Sequence, residues 1–299
     1  MPNINRKLFR KQTPHRSHKL VFIVLLALLG LLGLYFFVKL MLKPVAETPK
    51  TMVKKIPQEV KDQYATPSGT LRVPILLYHY VENVADKRDI KRQSLNINPY
   101  IFDSQLKTLS ESGYTFMTAS ELGDVLDGKK AIPTNPILLT FDDGHWDLYT
   151  DVLPILKKHH AKATAYIISG FIGGSDNLDE AQLKGVIDSG LVEIGAHTVH
   201  HIALGRRALP LVEYEVNRSK AYLHDTYNLN PVSFAYPDGS FDLQAISVVK
   251  SVGFTTAVST IPGVEQSQTN KYFLFRIRPG ARTGEDLLKY LKQLKYTPW

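Results

Sequence analysis

Pro136-Ile-Leu-Leu-Thr-Phe-Asp-Asp-Gly144 is an apolar run that stops on two adjacent carboxylates and a glycine. Six residues with one hydroxyl among them leave no wet face, so Pro136–Phe141 reads as a strand covered on both sides. Similar runs recur at Val73–Val81, Ala163–Ile168, Leu191–Ala196, Val232–Tyr236, Phe254–Ser259 and Phe273–Ile277. Helical spacings fall between them: Phe102, Leu106 and Leu109; Val152, Ile155 and Leu156; Leu183, Val186 and Ile187 ahead of Gly190, a C-terminal cap. Thr283 and Asp286 have the capping-box spacing before Leu287, Leu288 and Leu291. Seven or eight strands alternating with helices predict an α/β fold, either a barrel or an open parallel sheet. Both place chemistry at the carboxyl ends of strands.

Four such ends carry reactive side chains. Asp142 and Asp143 follow the decisive run. Leu191–Ala196 ends in His197-Thr-Val-His200-His201, with histidines at i and i+4 that can converge on a metal. Two histidines and one aspartate from neighbouring strand ends would make a three-ligand site with open positions, able to activate water. The strand Phe234-Ala-Tyr236 runs into Pro237-Asp238-Gly239, and Leu76-Leu-Tyr-His79 ends in a histidine. His159-His160, closing an amphipathic helix, reads as a solvated pair.

Thr140-Phe-Asp-Asp-Gly144, His197 with His201, and Tyr236-Pro-x-Gly239 together resemble the polysaccharide deacetylases, the carbohydrate esterase family 4 or NodB-homology enzymes. The resemblance covers about residues 72–299. It implies a distorted (β/α) barrel of about seven strands and removal of acetyl groups from N-acetylglucosamine polymers. It also implies a divalent metal held by Asp143, His197 and His201, with Zn²⁺ first and Ni²⁺, Co²⁺ or Mn²⁺ as alternatives. Asp142 would be the general base. The Tyr236, Pro237 and Asp238 turn would line the substrate groove, the Asp238 N–H serving the oxyanion.

Two departures stand out. The family usually has an arginine, orienting the catalytic aspartate, where Ala235 stands. Its usual C-terminal Leu-x-x-His is absent, because no histidine follows His224. Leu76-Leu-Tyr-His79 has that pattern ahead of the aspartates instead. This resembles a circularly permuted branch that includes surface poly-N-acetylglucosamine deacetylases, and it makes His79 the expected general acid. Arg276 and Arg278 are the replacement arginines on offer, with Arg276 preferred.

The expected activity is therefore metal-dependent N-deacetylation of a cell-surface polysaccharide, either poly-N-acetylglucosamine or peptidoglycan. The alternatives are an inactive glycan-binding homologue, favoured by Ala235, and an O-deacetylase of another acetylated polysaccharide. A serine esterase is opposed by the lack of any G-x-S-x-G. A glycosidase is opposed because adjacent carboxylates cannot flank one bond.

Composition read by position supplies the setting. The 299-residue chain has no cysteine, which excludes disulfides and thiolate metal sites. Its formal charge of +8 comes from eight basic residues in 1–43, leaving 28 basic against 28 acidic residues beyond. Nothing in that balance calls for nucleic acid. Leu20–Val38 is uncharged for 19 residues, roughly 28 Å as a helix, close to the hydrocarbon thickness of a bilayer. Most of the cations precede it, so the positive-inside rule keeps the N-terminus cytoplasmic. The expected layout is a basic cytoplasmic tail (1–19), a transmembrane anchor (20–42), a proline- and lysine-containing stalk (43–70) and a catalytic domain (71–299). That domain would be extracellular on a single-pass protein of the bacterial cell membrane. Its partners would be acetylated surface polysaccharide and the membrane, with no obligate protein partner.

Overall fold

A computed structural model describes residues 55–64, 69–86 and 88–294. All belong to one compact unit, Val53–Trp299. The expected tail and anchor lie outside the described residues; within these, no helix is long and apolar enough to cross a membrane.

Seven parallel strands form the central sheet: β1 (Ile75–Tyr78), β2 (Thr115–Met117), β3 (Pro136–Phe141), β4 (Ala163–Ile167), β5 (Val192–Ala196), β6 (Ser233–Ala235) and β7 (Thr256–Val258). Their order is β7-β6-β5-β4-β3-β1, with β2 also paired to β3. β3 is central because its six residues, all buried, serve three partners. The run Phe273–Ile277 forms no ladder. It makes two isolated parallel bridges, Leu274 to Val258 of β7 and Ile277 to Leu76 of β1, so it spans the gap between the edges of a curled sheet. Thr140 pins the same region by donating its hydroxyl to the Leu76 carbonyl at 2.7 Å.

The period of two sorts side chains into separate cores. Ile75, Leu138, Tyr166, Ala235, Val258 and Leu274 share a small inner cluster. Leu76, Tyr78, Leu139, Phe141, Ile194, Phe234, Tyr236 and Phe275 belong to a larger one. The helices cover this second face: α1 (Pro99–Glu111) buries Phe102, Leu106 and Leu109, and α4 (Glu180–Asp188) buries Leu183 and Val186, when labelled with α2 (Ala119–Leu126), α3 (Leu153–His159), α5 (Leu209–Tyr227), α6 (Leu243–Ser251) and α7 (Gly284–Gln293). Gly195 belongs to the inner face, where a Cβ would come within 2.6 Å of the Tyr166 ring. Thr283 caps α7 by accepting from the Asp286 N–H.

The packing reaches N-terminal to Leu71. A short helix, Gln58–Gln63, lies within the stretch expected to be a stalk, and Ile56 and Val60 are buried in the larger core. Tyr64 meets Phe273 edge to face.

Candidate active site

Inner-face parity, continued past the strand ends, delivers the polar residues. Asp142 is two residues after Thr140, His197 two after Gly195, His79 two after Leu77, and Arg276 two after Leu274. Each emerges at a carboxyl end or on the bridging run, around one mouth.

Asp143, His197 and His201 form a three-residue cluster whose ligand atoms lie within 4.8 Å of one another. His197 Nε2 and His201 Nε2 are each 3.3 Å from Asp143 Oδ1. The His197 Nδ1 lies 2.7 Å from the Ala235 carbonyl, which can only accept, so Nδ1 carries the proton and Nε2 presents a lone pair. The Asp143 Oδ1 is buried with no hydrogen-bond donor. Burial alone would raise the Asp143 pKa, but His145, His197 and His201 outweigh it and hold the carboxyl well below its usual range. Burial alone would likewise lower His201, but Asp143 raises it. An ionised oxygen and two imidazoles fit a divalent ion of the Zn²⁺ type.

The backbone around this cluster is unusual. Asp143, Thr198 and His201 have φ of 75°, 65° and 53°, the left-handed region that costs a non-glycine residue about 1 kcal/mol or more. Buried Glu215 of α5 compensates on one side. Its Oε2 accepts the N–H groups of Val199 and His200 at 2.9 Å, and its Oε1 lies 2.7 Å from His200 Nδ1. The Asn177 side chain donates to the Asp143 carbonyl at 2.9 Å on the other. Glu215 and Asn177 were not evident from sequence, and neither was His145, which stacks on Tyr80 with ring centres 3.8 Å apart and sets Nε2 3.3 Å from Asp143 Oδ2.

Asp142 turns the other way. Arg276, 1% exposed, donates Nη1 to Asp142 Oδ1 and Nη2 to Oδ2, both at 2.7 Å. Arg276 also donates Nε to the Ser259 carbonyl and Nη1 to Thr140 Oγ1. Burial would push Asp142 up, but the Arg276 guanidinium outweighs it and keeps the carboxyl below its ordinary value. Asp142 is thus an ionised base fixed at both oxygens. The neighbouring Arg278 is exposed and makes no hydrogen bond among the described residues.

His79 follows β1, partly buried, with a buried Nδ1 that has no hydrogen-bond partner. Burial pushes it down to about 4, against the charges of Asp142 and Asp143. Asp238 is exposed at the turn after β6, with φ 54°. The expectation that Tyr236 lines a groove is corrected: its side chain is fully buried, packed on Phe234 and Phe241. Two residues after Phe234, it has outer-face parity and faces the helical layer. Pro237 is buried too.

Comparison with known proteins agrees with this geometry. The profile of the family "Polysaccharide deacetylase" matches residues 129–257. A Streptococcus pyogenes structure, the deacetylase PplD in complex with acetate, is 30% identical, with a TM-score of 0.69 over 74% of this chain and 99% of that one. The Bacillus subtilis protein YxkH is 28% identical over 258 residues, 84% of this chain and 89% of the relative. A Staphylococcus aureus poly-beta-1,6-N-acetyl-D-glucosamine N-deacetylase is 26% identical over 249 residues, 79% of this chain and 85% of the relative. The chain belongs to the polysaccharide deacetylase family, whose carbohydrate esterase 4 members are metal-dependent hydrolases.

Proposed function

We propose that this protein is a metal-dependent N-deacetylase of a poly-N-acetylglucosamine-type surface polysaccharide. The observation that carries this reading is the pairing of an arginine-clamped, unliganded Asp142 with the adjacent Asp143–His197–His201 cluster. The name of the Staphylococcus aureus relative supports the substrate class. His79 and Arg276, both outside the family match at 129–257, support the permuted arrangement.

Asp143, His197 and His201 would hold the divalent ion, Zn²⁺ by preference, which when bound polarises the acetyl carbonyl and makes water more acidic. Asp142 takes a proton from the attacking water. Arg276 keeps its carboxylate oriented and ionised for that task. His79 is uncharged at rest; it gains a proton in the course of reaction and delivers it to the leaving nitrogen. The Asp238 N–H at the turn after β6 is the donor for the developing oxyanion. Acetate and a glucosamine residue result. The uncharged run Leu20–Val38, with its flanking cations, anchors the enzyme in the membrane and holds this domain outside the cell.

The test is acetate release by the full-length chain from β-1,6-linked poly-N-acetylglucosamine, peptidoglycan and O-acetylated xylan, with and without a chelator. Release from the first alone, abolished by chelation, is the expected result. Release only from xylan would support the O-deacetylase reading. Binding without release from any of the three would support an inactive glycan-binding homologue.

A further inference from the structure

Beside the catalytic mouth lies a cleft of about 670 Å³ that no step of the reaction uses. Its walls come from distant parts of the chain: Lys55 and Glu59 from the segment preceding the domain, Arg206 from the loop after His201, and Asp238 with Phe241 from the turn after β6. Its size falls within the usual range of ligand sites. Asp238 joins it to the reaction centre, and Ala203, two residues beyond the His201 ligand, lines it too.

The lining is polar and balanced. Lys55, Glu59, Arg206 and Asp238 are exposed, and their side chains make no ion pair or hydrogen bond among the described residues. Two cations and two carboxylates cancel, which disfavours a polyanion or polycation as occupant. Donors and acceptors of both kinds around an aromatic residue instead suit an uncharged chain rich in hydroxyl and acetamido groups. Asp242, which also lines the cleft, is engaged: it caps α6 through Ala245 N–H and accepts Arg206 N–H, fixing the loop that carries Arg206.

We propose that this cleft is a subsite for the sugar residues flanking the one being deacetylated, and that the segment before the domain forms one wall of it. The proposal rests on the deacetylase reading above. It assigns Lys55, Glu59 and Arg206 to length recognition. Binding energy from flanking sugars would be used to place the reacting acetamide, so long substrates gain over short ones.

The experiment compares the full-length protein with its Lys55→Ala/Glu59→Ala/Arg206→Ala variant. Truncating exposed side chains changes stability little. The kcat/KM for acetate release is measured on β-1,6-linked N-acetylglucosamine oligomers of two to six residues. The expected result is a rise with length in the wild type that is flattened at least fivefold in the variant. Equal length dependence in both proteins would overturn the subsite. Binding of the hexamer is measured separately on an Asp142→Asn background, with and without the three alanines. At least fivefold weaker binding supports the subsite, and equal affinity overturns it. If the wild type releases no acetate, the deacetylase reading fails, and the binding arm still decides the cleft.

Discussion

Arg276 holds both carboxylate oxygens of Asp142 at 2.7 Å across 134 positions of sequence. The pair is enclosed, and every nitrogen of the guanidinium has an acceptor: Asp142, Thr140 and the Ser259 carbonyl. Lysine cannot reproduce that fork. Arg276→Lys is expected to lower kcat by about 10-fold to 100-fold with bound metal unchanged. Arg276→Met leaves the Asp142 charge buried and unpaired and is expected to cost about 3–5 kcal/mol in urea unfolding. An Arg276→Met protein as stable and active as wild type would refute the clamp.

His79 is assigned to the leaving nitrogen, so its importance depends on the leaving group. His79→Ala is expected to lower kcat on an N-acetylglucosamine oligomer by on the order of 100-fold. On an aryl acetate, whose phenolate leaves without protonation, the loss should be only a few-fold. Equal losses on both substrates would remove His79 from proton delivery.

Chelation should abolish acetate release, and added Zn²⁺ should restore it. His197→Ala is expected to reduce bound metal, measured by elemental analysis after dialysis, to near background. Asp142→Asn should keep its metal while losing roughly 100-fold or more in rate. Metal loss in Asp142→Asn would make Asp142 a ligand and not the base.

Glu215 touches no ligand side chain, yet it holds the N–H groups of Val199 and His200 between the two ligand histidines. Glu215→Ala is expected to weaken Zn²⁺ affinity about tenfold, as lost supporting bonds do at other metal centres, and to lower Tm by a few degrees. Unchanged affinity in a folded variant would reduce Glu215 to a packing residue.

Acid stability has a separate source. Asp127 accepts Lys271 Nζ at 2.6 Å, with Lys129 and Gln268 at 3.1 Å, and is pushed down to about 2 from 3.8. A depressed carboxyl contributes stability above the unfolded value and loses it as pH falls through the folded one. The window is therefore about pH 4 down to pH 2. Partial solvent access reduces the effect to about 1 kcal/mol. Asp127→Asn should flatten the urea midpoint across that range; a slope equal to wild type would disprove the assignment.

Where one covered strand carries its own signal, sequence and structure coincide: β3 occupies Pro136–Phe141, as its unbroken apolar run predicts. β2 was missed because Thr115-Phe-Met117 is too short to show a period, its place being set by pairing with β3. Phe273–Ile277 reads as a strand because it alternates and is buried, but it bridges two edges without laddering to either. His159 was expected in solvent; its Nε2 lies 2.8 Å from Asp103 of α1, a contact that no local pattern encodes. Glu215 eluded sequence for the same reason, since a glutamate in a helix usually faces water. Tyr236 was misjudged by parity. Counting in twos from Ala235 would have turned it outward, into the helical layer.

The run that bridges the sheet edges also bears Arg276, and the first strand bears His79. The family match, 129–257, includes neither. A fragment trimmed to that match would keep Asp142, Asp143, His197 and His201 and could still capture a cation. It would lack both the partner of the base and the donor for the amine. Metal retention is therefore a poor proxy for competence in truncated forms of this enzyme: the smallest working piece must reach from His79 to beyond Arg276.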